Sequence, residues 1–331
     1  MKQKNFILSK LLTYCLFLFI YVIIGKDYIT IYSSFMLKVE SRIMLNINEV
    51  YNIGKKRRLN RIFNSDGKCL IVPLDDNLIS GSITGISDIK EKIQQIESAK
   101  PNAILAYQGT LSLVTDLNIP CILNLTASTI NSTHTHKVQV SSVEKAISLG
   151  TEAVAVHINL TSRYESDMLN TLGRISEDCE RFGIPLLAIA YPRGEYIDSD
   201  GIEIDQNYLD LKSHDLERYG DLVSHCARVS FELGADIIKT QYTGSIDTFK
   251  KVVESAGGKP VIIAGGNKIN VKLLFYMVED AMRAGASGVS IGRNVFNRND
   301  SDRIILCLQK LIFEDISASD ALELYYAGGV V

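Results

Sequence analysis

The sequence predicts an α/β protein: a single (β/α)₈ TIM barrel with a short N-terminal hydrophobic appendage. Three observations lead there. Eight short apolar runs alternate with helix-like stretches between residues 69 and 294, and such alternation asks for a parallel sheet that eight strands can close. The open, doubly wound rival would carry G-x-G-x-x-G after its first strand, and that fingerprint is absent. Polar and glycine residues gather at the C-terminal ends of the runs, the face where such barrels keep their reactive groups.

The appendage is read as residues 1–43. Lys2, Lys4 and Lys10 precede an apolar stretch, Leu11 to Ile24, which is shorter than the ~20 residues of a membrane span. It suits a signal-peptide core better, but no small-x-small cleavage pattern follows it. A one-pass anchor with the lysines kept inside is a second reading. A third, which we favour, starts the functional protein at Met36 or Met44, with an over-extended reading frame upstream. On that reading the protein is cytoplasmic, and a membrane matters only if the segment is retained.

The barrel is read as residues 44–331. Its strands are CLIVPLDD (69–76), AILAYQG (103–109), CILNLTAS (121–128), AVAVHINL (153–160), LLAIAYPR (186–193), DIIKTQYTG (236–244), VIIAGG (261–266) and GVSIGRN (288–294). Strands buried on both faces read as continuous apolar residues, as these do. Helices are expected from Ser87 to Ala99, Val143 to Leu149, Met168 to Phe182, Asp215 to Leu233, Ser245 to Ser255 and Lys268 to Ala284. No solenoid repeat or low-complexity tract interrupts the pattern.

The 331 residues, 46% of them hydrophobic, suffice for one large core. A formal net charge of −3 without a long basic run argues against nucleic acid as the main partner. Six scattered cysteines without a C-x-x-C pair point to a reducing compartment, and to neither a disulfide framework nor a zinc site.

Lys239 is the most informative residue. It follows Ile237-Ile238, where strand gives way to loop at the reactive face. An ammonium there is costly to desolvate, so its pKa falls and the free amine can attack a carbonyl to form a Schiff base. The plain alternative is a lysine that ends a strand in solvent. The last two runs end in Gly265-Gly266 and Gly292-Arg293. Glycine lets backbone N–H groups approach an anion, Arg293 adds fixed charge, and the loops after strands seven and eight often bind phosphate.

Tyr191 ends the fifth strand, where it either packs or moves protons. Asp75 and Asp76 end the first. Because strand side chains alternate, one of the two is expected to face the barrel mouth and the other to cap a helix or turn. His157 ends the fourth strand and reads as a hydrogen-bonding residue of the pocket or its wall. The H-x-H of His134 and His136 raises a metal site, but it lies in a Ser/Thr/Asn-rich loop past its strand. Metal catalysis, and any cofactor, is therefore not expected.

Six segments together carry a resemblance: VPLDDNLISGSITG (72–85), VHINLTSRYESDMLNTLG (156–173), AYPRG (190–194), GADIIKTQYTG (234–244), AGGNK (264–268) and IGRNVF (291–296). In this order they resemble the class I aldolases of the DeoC/FbaB group. The likeness is greatest to archaeal-type fructose-bisphosphate aldolases and 2-amino-3,7-dideoxy-D-threo-hept-6-ulosonate synthases. The resemblance runs from about Gly54 to Phe296. It implies Lys239 as the Schiff-base lysine, Tyr191 as acid and base, Asp75 as the assisting carboxylate, and Gly265, Gly266, Gly292 and Arg293 as the phosphate cradle. It also implies a homo-oligomer.

One departure stands out. The family usually reads M-D-H-G where this chain has Leu74-Asp75-Asp76-Asn77. Asp76 thus brings an extra carboxylate near the amine, which points to an altered acceptor. The resemblance then implies a phosphorylated ketose donor, such as dihydroxyacetone phosphate, joined to an aldehyde. L-Aspartate 4-semialdehyde leads, in an aromatic or aminohydroxybenzoate-type pathway. Fructose-bisphosphate cleavage, a thiolase-like acyl transfer and a non-catalytic barrel are the alternatives.

Overall fold

A computed structural model describes residues 53–83, 85–114, 116–195, 212 and 215–327. The predicted appendage, with its alternative starts, lies outside the described residues, as does His214. No described helix is long and apolar enough to cross a membrane.

Eight parallel strands close into a barrel: β1 (Cys69–Pro73), β2 (Ala103–Ala106), β3 (Cys121–Asn124), β4 (Ala153–Leu160), β5 (Leu186–Pro192), β6 (Ile237–Gln241), β7 (Val261–Ala264) and β8 (Gly288–Ser290). Each pairs with its neighbours in sequence, and β8 closes onto β1, with Cys69 opposite Gly288. The eight predicted runs therefore hold the eight strands. Most strands stop earlier than the runs: β1 ends at Pro73, β3 at Asn124 and β8 at Ser290. Their polar ends belong to loops and short helices such as Asp76–Ser80 and Arg293–Phe296.

Strand alternation splits the apolar residues into two cores. Ile71, Leu105, Ile122, Ala155, Leu187, Ile237 and Ile262 fill the barrel interior. Leu70, Ile104, Leu123, Val154, Ala188 and Ile238 face outward and pack under the helices. A helix over residues 53–62 brings Leu59 and Ile62, followed by Phe63, against the interior core. Lys55 on that helix reaches Asp236 at 3.0 Å and Glu180 at 2.7 Å, just before β6 and on the helix before β5.

The helices over Ile89–Ser98, Val143–Ser148, Glu165–Phe182, Leu216–Glu232, Ile246–Ser255 and Val271–Arg283 match the predicted ones to within a few residues. Two helices after β8, Ser301–Phe313 and Ala318–Ala327, were not anticipated. An antiparallel hairpin, Thr126–Ala127 with Val138–Gln139, follows β3 at the barrel mouth.

Candidate active site

Lys239 sits mid-strand in β6 rather than at its end, flanked in register by Ile189 and Ile262. Ile237 faces the barrel interior, so Lys239, two residues on, does too, above an apolar floor. Its side chain is 6% exposed. Burial lowers its pKa below the ordinary 10.5; Asp75 and Asp76 oppose the shift, and Arg293 adds to it. A free-amine fraction is thus available at lower pH than for a surface lysine.

All nine residues singled out from the sequence line one pocket of about 100 Å³: Lys239, Tyr191, Asp75, Asp76, His157, Gly265, Gly266, Gly292 and Arg293. This pocket shares Asp76, His157 and Arg293 with a wider cavity of about 840 Å³ at the barrel mouth. The long-range part of the expectation, bringing residues of six strands and the loops after them to one point, follows from barrel closure.

The aspartate pair corrects one expectation. Both carboxylates line the pocket, because β1 ends at Pro73 and strand alternation no longer governs residues 75 and 76. Asp75 occupies the N-cap position of the short helix but makes no side-chain cap bond. Instead Asn124 at the end of β3 donates its Nδ2 to Asp75 Oδ2 at 2.8 Å. Asp76 Oδ2 lies 3.4 Å from Arg293 Nε. Burial and the neighbouring Asp75 charge raise the pKa of Asp76, while Arg293, Lys239 and Arg193 counteract.

Tyr191 points inward from β5, and Arg193 places its guanidinium 5.6 Å from the ring centre. His157 meets the Tyr191 ring edge-on, with centroids 5.0 Å apart. His157 lies within β4 rather than at its end. Burial, reinforced by Lys137, Arg193 and Lys239, drives its pKa well below 6.5. The neutral ring donates Nε2–H to Asn159 Oδ1 at 3.1 Å, and Asn159 donates to the Thr135 carbonyl at 2.9 Å.

The turns after β7 and β8 are fixed against each other by Asn294. Its Nδ2 donates to the carbonyls of Gly265 and Asn267, each at 2.9 Å, and its Oδ1 accepts from Ile269 N at 2.9 Å. Gly266 has φ +62°, and a Cβ on Gly292 would meet the Pro73 carbonyl oxygen at 2.8 Å, so both positions favour glycine. Arg293 donates Nη1 to Asn267 Oδ1, which holds the guanidinium at the rim. The arrangement suits an anion at the junction of the two turns.

Sequence reasoning missed Asn124, Lys137 and Arg193. Arg193 was visible as the residue after Tyr191-Pro192, two positions beyond an inward side chain. Lys137 had no periodic signal, since the loop that carries it reads only as polar. His134 and His136 part company: His134 Nε2 meets Arg193 at 3.1 Å, whereas His136 stacks on Tyr164 at 4.3 Å.

Residues 69–298 match the family described as DeoC/LacD family aldolase. A 2-amino-3,7-dideoxy-D-threo-hept-6-ulosonate synthase from Halobacterium salinarum is 35% identical over 272 residues, 81% of this chain and 95% of that protein. A 2-amino-4,5-dihydroxy-6-oxo-7-(phosphonooxy)heptanoate synthase from Streptomyces griseus is 33% identical over 266 residues, 78% and 90% of the two chains. Among solved structures, an archaeal fructose 1,6-bisphosphate aldolase superposes with a TM-score of 0.68 at 29% identity, covering 78% of this chain and 98% of its own.

Proposed function

Because the chain belongs to the DeoC/LacD family of aldolases, we propose that it joins a phosphorylated ketone to an amino-acid aldehyde, with dihydroxyacetone phosphate as donor and L-aspartate 4-semialdehyde as acceptor. The observation that carries this reading is the buried Lys239 amine sharing one small pocket with Asp75, Tyr191 and the glycine turns. Lys239 adds to the donor ketone, and loss of water with help from Asp75 leaves an iminium. Tyr191 removes the proton from the adjacent carbon to give an enamine. The enamine carbon bonds to the aldehyde carbon, the aldehyde oxygen takes a proton, and water then hydrolyses the iminium to free Lys239. The donor phosphate rests on Gly265, Gly266, Gly292 and Arg293.

The names of the relatives support the acceptor. In the Streptomyces griseus product, a C6 ketone and a C4 hydroxyl mark an aldol bond between C4 and C5. Reversing that bond gives dihydroxyacetone phosphate from C5–C7 and aspartate 4-semialdehyde from C1–C4. The Halobacterium salinarum product name has the same 2-amino acid end but a 7-deoxy donor end. The amino-acid half is common to both. Fructose 1,6-bisphosphate cleavage is the second reading, favoured by the superposed archaeal aldolase.

The test is to incubate the protein with dihydroxyacetone phosphate, reduce with borohydride and map the mass increase on peptides. An adduct on Lys239 is expected, followed by product formation when aspartate 4-semialdehyde is supplied without reduction. An adduct on another lysine, or none on folded protein, would overturn the assignment. Turnover only with glyceraldehyde 3-phosphate would select the second reading.

A further inference from the structure

Resting on the aldolase reading above, we propose that Lys137, with Arg193 beside it, forms a second anion-binding subsite that holds the acid group of the acceptor aldehyde. Lys137 comes from the hairpin after β3. In the closed strand order, β3 lies four strands from β7, directly across the mouth from the glycine turn. Lys239 on β6 stands between them. A donor bound through its phosphate at β7 and β8 leaves the β3–β5 side for the second substrate. The wall on that side carries two cations, Lys137 and Arg193, with His134 between them lining the same 840 Å³ cavity.

Lys137 is only 2% exposed, and its hydrogen bonding is incomplete. Its Nζ donates to Ser128 Oγ at 2.6 Å. Ser128 can do no more for it: its hydroxyl donates to the His134 carbonyl at 2.9 Å and faces His134 Nδ1 at 3.4 Å. Among the described residues, the other two Nζ–H donors of Lys137 find no acceptor and the ammonium makes no ion pair. A buried ammonium left so is costly, and an anion arriving from the cavity relieves it.

The surroundings keep the charge on duty near neutrality. Burial and Arg193 lower the Lys137 pKa to about 8, while Asp75 and Asp76 oppose the shift. Burial, Lys137 and Arg193 hold His134 at about 4, so His134 is neutral and accepts from Arg193 Nη1 at 3.1 Å. Arg193 is thereby aimed along the same wall. Glu195 does not neutralise Lys137: its carboxylate is taken by the Arg163 backbone N–H at 2.9 Å and the Thr135 hydroxyl at 3.0 Å.

The experiment compares wild type, Lys137→Met and Lys137→Arg, each checked for folding by circular dichroism. Succinate binding is measured by calorimetry, and acceptor KM is measured with dihydroxyacetone phosphate as donor. The acceptors are aspartate 4-semialdehyde, glyceraldehyde 3-phosphate and uncharged glyceraldehyde. Lys137→Met is expected to weaken succinate roughly 10- to 100-fold, the scale of a lost charge-assisted bond. KM for the acidic acceptors should rise by a similar factor and exceed any change for glyceraldehyde, and Lys137→Arg should recover most of both. Which acid suffers more distinguishes a carboxylate from a phosphate as the natural anion. In wild type, succinate affinity should fall as pH rises through about 8, which tests the idea even if Lys137→Met does not fold. Succinate binding that ignores both substitution and pH, or equal losses for charged and neutral aldehydes, would overturn it. Because calorimetry needs no turnover, a failed Lys239 adduct would sink the aldolase reading without deciding this one.

Discussion

Asp76 Oδ2 lies 3.4 Å from Arg293 Nε, so a carboxylate of the protein already engages the guanidinium that stands beside the two glycine turns. The pairing sets two opposite charges of the site against each other. On the proposed reading, a donor phosphate would share Arg293 with Asp76 or displace it.

Asp76→Asn is therefore expected to lower the donor KM about tenfold, equivalent to ~1.4 kcal/mol. It should also move the pH profile of Lys239. The reactive form is the neutral amine, and Asp76 is one of two carboxylates that raise its pKa against the lowering by burial. Removing that charge lowers the pKa further, so the rising limb of borohydride-trapped adduct against pH shifts to more acidic values. A variant with unchanged donor KM and an unmoved limb would show that Asp76 does not compete at the cradle.

Tyr191→Phe should leave the carbinolamine and iminium able to form but slow the proton step. A fall in kcat on the order of 10²–10⁴-fold is expected, with the trapped adduct still accumulating on Lys239. Near-wild-type exchange of the donor α-proton with deuterated water would assign that proton transfer elsewhere.

Asn124→Ala removes the 2.8 Å donor that orients Asp75. Bonds to charged groups contribute ~1.5–3 kcal/mol, so kcat should drop by roughly 10- to 100-fold while donor KM changes little. Asn124→Ser, which can still donate, should recover part of the loss. A change confined to KM would place Asp75 in binding rather than in imine chemistry.

Stability is expected to respond at the opposite end of the barrel. Lys55 bridges Asp236 and Glu180, with Lys55 and Asp236 side chains 9% and 10% exposed. Asp236 also accepts from Leu186 N at 2.9 Å. Lys55→Met strands that carboxylate, and a loss of about 3 kcal/mol is expected, with Lys259 at 3.9 Å offering partial compensation. Urea unfolding with an unchanged slope and an earlier midpoint is the check.

The barrel was legible because strands buried on both faces write themselves as contiguous apolar runs. Leu186–Pro192 and Ala153–Leu160 are nearly intact in the sequence. Their ends were less legible: Asp75 and Asp76 looked like strand residues, yet a strand ending at Pro73 frees both to enter the pocket. Lys239, Tyr191 and the glycine turns could be read because barrel topology dictates where strand ends meet. Lys137 could not, since its place depends on a hairpin whose partners, Thr126–Ala127 and Val138–Gln139, carry no distinctive pattern. Its contact with Ser128 spans nine residues of polar loop.

That hairpin has a practical meaning for anyone wishing to retool the protein. Lys239, Tyr191 and the glycine turns belong to β5–β8 and the loops that follow β7 and β8, whereas His134 and Lys137 on the opposite wall belong to residues 126–139. If Lys137 holds the acceptor as proposed, randomising those fourteen consecutive codons would explore new aldehydes while leaving Lys239, Tyr191 and the glycine turns as inherited.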